Sequence, residues 1–249
     1  MPIINKSRLL GTVLPVTEVT EDMENKLFRL FERYYDAVSK NAFRRDLRDK
    51  EWVILLRDDV SRDVMGFSTL MRIDVAVDGV PVAVAFSGDT IIDRTYWGEQ
   101  ELVKTWYRIM ETLRGTCWPA KLYWILVSKG YRTYLYLPTF FKEYYPRHDR
   151  ETPAFEQTLI TTFGASKYPR NFNPETGIVE FEESEGHLTE ALAGVPSHRQ
   201  KDPNVAFFLL RNPGYNHGNE LVCVAEFAPE NLSEFGLRLV GDRAVAGLT

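Results

Sequence analysis

Residues Val80 to Gly115 read VPVAVAFSGDTIIDRTYWGEQELVKTWYRIMETLRG, and they contain an apolar run, a turn and a periodic segment in succession. Pro81 to Phe86 is continuously apolar, as expected of a strand that is covered on both faces, and Thr90 to Ile92 is a second extended piece. The chain then changes direction at Arg94 to Gly98. From Glu99 to Gly115 the apolar residues recur at helical spacing. The stretch therefore predicts a buried strand that leads through a tight turn into an amphipathic helix.

The turn before this helix is a predicted anion site. The first amides of a helix have no partners within the helix, and they attract negative charge. We therefore expect a ligand that carries phosphate or carboxylate to bind at Arg94 to Glu99.

Length and composition favour one domain. A chain of 249 residues with 44% apolar residues can bury a large core. We expect residues 1–249 to form a single domain with an irregular insertion at about 164–204, where the chain is polar and carries several Pro and Gly residues. A net charge of -5 argues against an extended nucleic-acid surface. The one basic cluster is interrupted by acidic residues, and we interpret it as a solvated helix face: Arg44, Arg45, Arg48 and Lys50.

The sequence also carries signals about compartment. No segment is apolar over the length that a membrane span needs, and the first residues have no continuous apolar core of a signal peptide. Cys117 and Cys223 are far apart and suit a reducing compartment, where each is expected to be a small buried hydrophobic residue. We therefore expect a cytoplasmic protein.

The rest of the chain supplies strands and helices around the central unit. A helix is predicted from Glu21 through Val38, a second over Ala42 to Lys50, and Asp78-Gly79 as the turn of a hairpin. Further elements are expected at the following positions: strands Leu9 to Leu14, Trp52 to Leu56, Met65 to Val77 and Leu122 to Val127, and helical turns on both sides of Pro138 within Tyr131 to Tyr145. Strand, helix, strand at this spacing implies a right-handed parallel crossover.

The C-terminal third is less regular. Pro153 to Phe163 is predicted to be a helix, and Val205 to Leu210 and Leu221 to Phe227 are predicted to be strands. The residues from Arg211 to Glu220 are then a long hairpin loop that reaches over a site, and they include His217. The fold class expected from the whole chain is α/β (α+β), with a mixed, mostly antiparallel twisted sheet and helices on both faces.

This order of elements resembles the layout of the GNAT acyltransferase superfamily from about Leu9 to Phe227. The resemblance implies that the strands on either side of the central helix separate and that the pantetheine arm of a thioester donor lies between them. It places pantetheine against the backbone of Ile91, Ile92 and Asp93. It also places the donor phosphates on Arg94 to Glu99, which includes Trp97 and Gly98.

The turn matches the family pattern in part. The family reads [Q/R]-x-x-G-x-[G/A], and here Arg94 matches while Gly98 is one place from the expected glycine. Trp97 adds bulk and Glu99 adds negative charge where phosphate would lie. Acyl-CoA is one expected donor, and an acyl group on the phosphopantetheine of an acyl carrier protein, which brings fewer phosphates, is the other.

Amide-forming acyl transfer needs a base, an acid and an oxyanion donor. Asp89 and Asp93 lie at the end of the buried strand and are candidate bases, although turn capping is a competing role. The strand amide near Ile92 is the candidate oxyanion donor. The family often places a tyrosine acid in the helix after the separated strand. Here Phe141 aligns with that position, and Tyr134 or Tyr136 is the candidate acid, with core packing as the alternative role.

Other catalytic classes lack their motifs. The sequence has no nucleophile elbow, phosphate-binding loop or dinucleotide fingerprint, and its four histidines show no metal-ligand spacing. We expect no metal and no permanently bound cofactor. Two hypotheses remain. The protein is an N-acyltransferase that uses a small-molecule amine acceptor, or it is a catalytically inactive GNAT-fold protein that binds a small apolar ligand or a protein partner.

Overall fold

The computed structural model describes residues 8–181 and 186–241. The strands have the following bounds: β1 Leu9–Pro15, β2 Tyr35–Asp36, β3 Trp52–Asp58, β4 Val64–Val77, β5 Val80–Ile92, β6 Lys121–Ser128, β7 Phe172–Asn173, β8 Ile178–Val179, β9 His187–Leu188 and β10 Glu220–Glu226. The helices have the following bounds: α1 Glu21–Phe31, α2 Lys40–Arg48, α3 Glu101–Cys117, α4 Tyr131–Tyr134, α5 Tyr136–Phe140, α6 Ala154–Lys167, α7 Glu190–Ala193, α8 Pro203–Arg211 and α9 Glu234–Val240.

An eight-stranded sheet runs through the fold in the order β1-β3-β4-β5-β6-β10-β8-β7. The β5–β6 pair is parallel, and the other neighbours in this sheet are antiparallel. Asp78 and Gly79 both have positive φ, at 49° and 80°, as a type I′ hairpin turn requires, and they join β4 to β5. The mixed, mostly antiparallel sheet, the hairpin and the parallel crossover through α3 confirm the predicted architecture.

Helices cover both faces of the sheet, and β5 shows why its sequence is continuously apolar. Ala83 and Ala85 belong to the core beside α3, whereas Val82, Val84 and Phe86 belong to the core beside α6. Side chains alternate between the two faces of a strand, so a strand covered on both faces has no solvent-facing position for a polar residue. Farther along the sheet, α1 and α2 pack on β3 and β4.

The prediction of a strand at Val205 to Leu210 was wrong, because these residues form α8. The side chain of Asp202 caps this helix by accepting from the Asn204 amide at 2.9 Å, and Pro203 occupies its first turn. Val205 and Phe208 are buried while Leu210 is 79% exposed, which is a helical pattern. A short apolar run fits either structure, and the cap decides here. The hairpin loop expected after it is therefore also absent.

Helices α1, α3 and α5 have boundaries that differ from the predictions. Helix α1 ends at Phe31, and Ala37 has a φ of 55° that ends any helical continuation to Val38. Helix α3 begins at Glu101 after a 3₁₀ turn at Arg94–Tyr96, and it passes Gly115 to end at Cys117. After Pro138 the helix stops at Phe140, and Tyr145 pairs with Val224 instead.

Candidate functional site

Strands β5 and β6 part at a defined point. Their parallel pairing ends at Ser87 and Leu126. Beyond that point β5 continues to Ile92 beside β4, while β6 ends at Ser128 beside β10. The edge of β5 from Gly88 to Ile92 therefore faces a gap within the sheet.

Three cavities meet in this gap, and Thr90 and Thr133 line all three of them. We name them the open cleft, of about 440 Å³, the apolar cavity, of about 40 Å³, and the polar cavity, of about 160 Å³. The open cleft reaches from the gap to the start of α3. A ligand in the gap is thus within reach of two different environments, one apolar and one charged.

The edge of β5 offers backbone groups to the gap. The amide of Asp93 donates to the Met65 carbonyl on β4 at 2.7 Å. Because successive residues of a strand direct their backbone groups to opposite sides, the amides of Thr90 and Ile92 face away from β4 and toward the gap. The carbonyl of Ile92 has a partner there, since the Trp97 indole donates to it at 2.9 Å.

Two arginines lie near Trp97 at the mouth of the open cleft. The guanidinium groups of Arg94 and Arg132 lie 5.6 Å and 5.7 Å from the centre of the Trp97 ring. Arg132 also donates to the Leu192 carbonyl at 2.5 Å. Gly98, with a φ of 94°, adopts a left-handed conformation that favours glycine, and it leads the chain into α3.

The acidic residues at this mouth have different surroundings. Glu99 is partly buried and lines the open cleft. Glu101 faces the other way: its carboxylate accepts from the Gly11 amide at 3.3 Å and pairs with Arg108 at 3.0 Å. Of these two glutamates, Glu99 is therefore the one whose charge opposes an anion in the cleft.

Asp93 caps the turn. Its carboxylate accepts from the Thr95 amide at 3.1 Å and from the Thr95 hydroxyl at 2.8 Å, and it pairs with Arg33 at 2.9 Å. Burial alone would raise the pKa of Asp93, but these hydrogen bonds and the Arg33 charge outweigh it and lower the pKa. A carboxylate held in this way is a weak base, so Asp93 stabilises the turn.

Asp89 lies in the polar cavity, and its pKa is shifted in the opposite direction from that of Asp93. Burial and the nearby Asp46 charge raise the pKa of Asp89 to about 7, although Lys129 and Lys50 act in the opposite direction. A carboxyl group with a pKa near neutrality can take a proton and release it at physiological pH. Of the two aspartates predicted as bases, the surroundings favour Asp89.

Two lysines that the sequence did not single out as site residues line the same cavity. Lys50 has a side chain that is 0% exposed, and its ammonium pairs with Asp46 at 2.6 Å. The interpretation of Lys50 as part of a solvated face was therefore wrong, whereas Arg44 and Arg48 of that cluster pair with Glu24 on α1. Lys129, which follows β6, pairs with Glu220 of β10 at 3.0 Å. Spacing along the chain gave no signal for this cluster.

The two candidate tyrosines lie in different places. Tyr136 lines the open cleft and the apolar cavity, and burial raises the pKa of its hydroxyl. Tyr134 is fully buried, and its hydroxyl donates to the Pro146 carbonyl at 2.9 Å. Its ring packs against Phe208, with ring centres 5.7 Å apart. Tyr134 is outside the three cavities, and we assign it to the core.

The apolar cavity lies between β5, α3 and α5. Its wall includes Trp106, Trp124 and Phe141, and the Trp124 indole donates to the Ser87 hydroxyl at 2.9 Å. Phe141 is 2% exposed. Phe141, at the position where the resemblance implies a tyrosine, therefore forms part of the wall of this cavity.

Other residues considered in the sequence lie outside the three cavities. His217 is exposed in a short 3₁₀ turn, and both cysteines are buried with free thiols. Within residues 8–181 and 186–241, no group of three His, Cys, Asp or Glu side chains is arranged to hold a metal ion. No helix in this described part of the chain has the length and apolar character needed to cross a bilayer.

Comparisons with known proteins give likenesses of structure only. No family model matches the chain, and no curated protein matches it by sequence. A GNAT family N-acetyltransferase from Escherichia coli in complex with CoA is 18% identical with a TM-score of 0.36, over 49% of this chain and 64% of that one. An N-myristoyltransferase from Saccharomyces cerevisiae with bound myristoyl-CoA is 12% identical with a TM-score of 0.37, over 51% of this chain and 30% of that one.

A third solved structure covers more of the chain. It is a conserved protein from Enterococcus faecalis described as a probable N-acyltransferase, 10% identical with a TM-score of 0.41, over 88% of this chain and 66% of that one. The strand order of the present chain agrees with the layout predicted from its sequence, with a parallel β5–β6 pair that separates beside the start of α3.

Proposed function

We propose that the protein is an N-acyltransferase that moves an acyl group from a thioester donor to an amine. The observation that carries this proposal is the parting of β5 and β6 after Ser87 and Leu126, with three cavities meeting at Thr90 and Thr133. A thioester has an extended arm, an acyl group and a reacting carbonyl, and these fit the open cleft, the apolar cavity and their junction. The polar cavity then receives the amine.

The donor enters through the open cleft in this proposal. Arg94 and Arg132 meet the negative charge of its phosphates, and the amides of Thr90 and Ile92 meet polar groups of the pantetheine arm. Acyl-CoA and an acyl carrier protein's phosphopantetheine share this arm. The apolar cavity beside Trp106 and Phe141 accepts the acyl chain.

The transfer itself uses groups from two cavities. Asp89 removes one proton from the bound ammonium, and the neutral nitrogen attacks the thioester carbonyl. The carbon–nitrogen bond forms, an oxyanion develops next to the strand amides, and the carbon–sulfur bond then breaks. Tyr136 donates its proton to the departing thiolate, and the second proton of the nitrogen restores the tyrosine. The products are an amide and a free thiol, and Asp89 releases its proton to water.

The experiment combines donor binding with thiol release. The protein is incubated with acyl-CoA donors of increasing chain length and with an acylated carrier protein, first without and then with a mixture of primary amines. We expect at least one donor to raise the melting temperature and to release thiol only when amine is present. The Asp89→Asn variant is expected to retain the thermal shift and to lose the release. A set of donors that neither stabilise nor react would exclude the proposal.

A second candidate function has one observation in its favour. The Trp97 indole already donates a hydrogen bond to the Ile92 carbonyl, and the resemblance assigns the backbone of Ile92 to pantetheine. If no donor binds, the open cleft would instead serve a small apolar ligand or a protein partner on the same framework. Binding of an apolar fluorescent probe that acyl-CoA fails to displace would favour this second function.

A further inference from the structure

Among the residues that the structure describes, the polar cavity contains one carboxylate more than its lysines can neutralise. Its charged side chains are Asp46, Lys50, Asp89, Lys129 and Glu220, and they come from four separate parts of the chain. Lys50 is paired with Asp46 at 2.6 Å, and Lys129 is paired with Glu220 at 3.0 Å. Among the described residues, Asp89 has neither a hydrogen bond nor an ion pair from its side chain.

In the described part of the chain, the three lysines near this cavity each have an acidic partner. Lys50 also donates to the Asp46 carbonyl at 3.1 Å, and its ammonium lies 5.6 Å from the centre of the Phe86 ring. Lys129 lies 5.7 Å from the centre of the Tyr35 ring. Lys167, whose ammonium is 5.9 Å from the Phe86 ring centre, pairs with Asp49. No arginine lines the cavity within the described part of the chain.

Because the Asp89 carboxylate is unpaired among the described residues, its surroundings disfavour its ionised form. Burial, the Asp46 charge and the Glu220 charge raise the pKa of Asp89, and Lys129 and Lys50 offset them only in part. An ammonium group beside Asp89 would supply the missing positive charge and favour the ionised carboxylate. A ligand carboxylate would meet the opposite situation, because each lysine already has a partner and Asp89 would repel it.

Aromatic rings form part of the uncharged wall of the cavity, beside small, aliphatic and hydroxyl-bearing residues. The rings of Phe31, Phe43, Phe86, Tyr35, Tyr168 and Phe181 line it. Phe31 and Tyr35 are stacked with their centres 4.6 Å apart. Such a wall favours an apolar or aromatic body, and its ring faces also attract a cation.

We propose that the polar cavity binds a primary amine that has an apolar or aromatic body and no acidic group, with its ammonium paired to Asp89. This inference rests on the proposed function where it identifies that amine as the acyl acceptor. The acceptor class is then the simple alkyl or arylalkyl amines, and α-amino acids are excluded by their carboxylate.

The test measures binding by calorimetry at pH 8 in the absence of any donor. The probes are 2-phenylethylamine, phenylalaninol and L-phenylalanine, which share the aromatic body and the amine and differ in the carboxylate. We expect the first two to bind roughly tenfold more tightly than phenylalanine, and the Asp89→Asn variant to lose roughly tenfold for both. Equal or tighter binding of phenylalanine, an unchanged affinity in the variant, or no binding of either amine would each overturn the proposal.

A second variant tests the charge balance in the opposite direction. Asp46→Asn leaves Lys50 without its carboxylate partner, and the freed cation is expected to improve phenylalanine binding relative to 2-phenylethylamine. Thermal unfolding of each variant verifies that it is folded. A loss of discrimination is the supporting result, and unchanged discrimination in a folded Asp46→Asn variant contradicts the charge argument.

Thiol release with acyl donors then separates this inference from the proposed function. If the amines bind through Asp89 and no donor reacts, the amine site stands and the acyltransferase proposal fails. If thiol is released with amino acids and not with simple amines, the acyltransferase proposal stands and the acceptor class proposed here fails.

Discussion

The indole of Trp97 donates a hydrogen bond to the carbonyl of Ile92, with 2.9 Å between Nε1 and O. Trp97 lies in the turn before α3, and Ile92 is the last residue of β5. The side chain thus occupies a backbone acceptor at the mouth of the open cleft, while Arg94 and Arg132 lie near its ring. Any ligand that uses this carbonyl must first displace the indole.

Trp97→Phe is expected to increase donor affinity. The phenyl ring keeps the aromatic contact with the arginines but cannot donate a hydrogen bond, so the Ile92 carbonyl becomes free. We expect acyl-CoA to bind roughly twofold to tenfold more tightly, as measured by calorimetry. Trp118→Phe is the matched control, because Trp118 is 83% exposed after α3 and outside the three cavities. An unchanged or lower affinity in Trp97→Phe would show that the carbonyl does not contact the donor.

Arg94→Ala is expected to weaken donor binding without unfolding the protein, because the exposed guanidinium contributes charge rather than burial. The loss should be greater for CoA than for pantetheine, which lacks the phosphates, and it should diminish at high salt. Arg29→Ala is the control, since Arg29 is an exposed arginine of α1. Equal losses for CoA and pantetheine would refute the phosphate role of Arg94.

The rate of acyl transfer is expected to rise with pH through about 7, where Asp89 ionises. The base must be ionised to accept a proton, so kcat/KM increases as the carboxyl loses its proton and then reaches a plateau. Asp89→Asn should lower kcat roughly a hundredfold and remove this limb of the profile. If Asp89→Asn shows the same rise of kcat/KM with pH as the wild type, another group is responsible for that rise.

The same carboxyl group makes stability depend on pH in an unusual direction. Asp89 loses its proton near pH 4 in the unfolded chain and near pH 7 in the folded protein. The unfolded state therefore binds fewer protons between these values, and the free energy of unfolding falls as pH rises from about 4 to about 7. Asp89→Asn should be more stable than the wild type at pH 8 and lose that advantage near pH 4, as measured by urea unfolding.

Asp49→Asn is a comparison variant, because Asp49 makes stability depend on pH in the opposite direction. The Lys167 ammonium bonds to the Asp49 carboxylate and lowers its pKa, so this pair contributes stability above the unfolded pKa that is lost as pH falls. Its removal should destabilise the protein slightly at pH 8, because the pair is partly exposed. If both variants respond alike to pH, the assignment of Asp89 is wrong.

Tyr136→Phe and Tyr134→Phe are expected to separate catalysis from packing. The first removes a hydroxyl at the wall of the open cleft and should lower kcat roughly a hundredfold while leaving the donor's KM nearly unchanged. The second leaves the Pro146 carbonyl without its donor, and it should cost about 1–2 kcal/mol of stability while kcat is retained. Steady-state kinetics with urea unfolding of both variants measures the two effects. If Tyr134→Phe lowers kcat and Tyr136→Phe lowers only stability, Tyr134 is the acid and Tyr136 is the packing residue.

The sequence by itself determined the central unit and the covering of the sheet. The apolar run in β5 requires helices on both faces, the Asp78-Gly79 pair determines the hairpin to β4, and the helical period of α3 between two strands requires a parallel crossover. These signals are local in the chain, and each refers to one element and its immediate neighbours. The gap between the two strands, with Asp89 and either Tyr134 or Tyr136 as candidates beside it, was implied by the resemblance to a family layout and not by these local signals.

Only the tertiary structure decided which polar groups share a cavity. Lys50 follows α2, Lys129 follows β6 and Glu220 begins β10, so their proximity depends on how distant elements pack and leaves no trace in spacing. The roles of Tyr134 and Tyr136 were also undecided by sequence, because their burial depends on the contacts of α8 with α4. A helix at Val205 was missed because a short apolar run satisfies either period until its cap and neighbours select one.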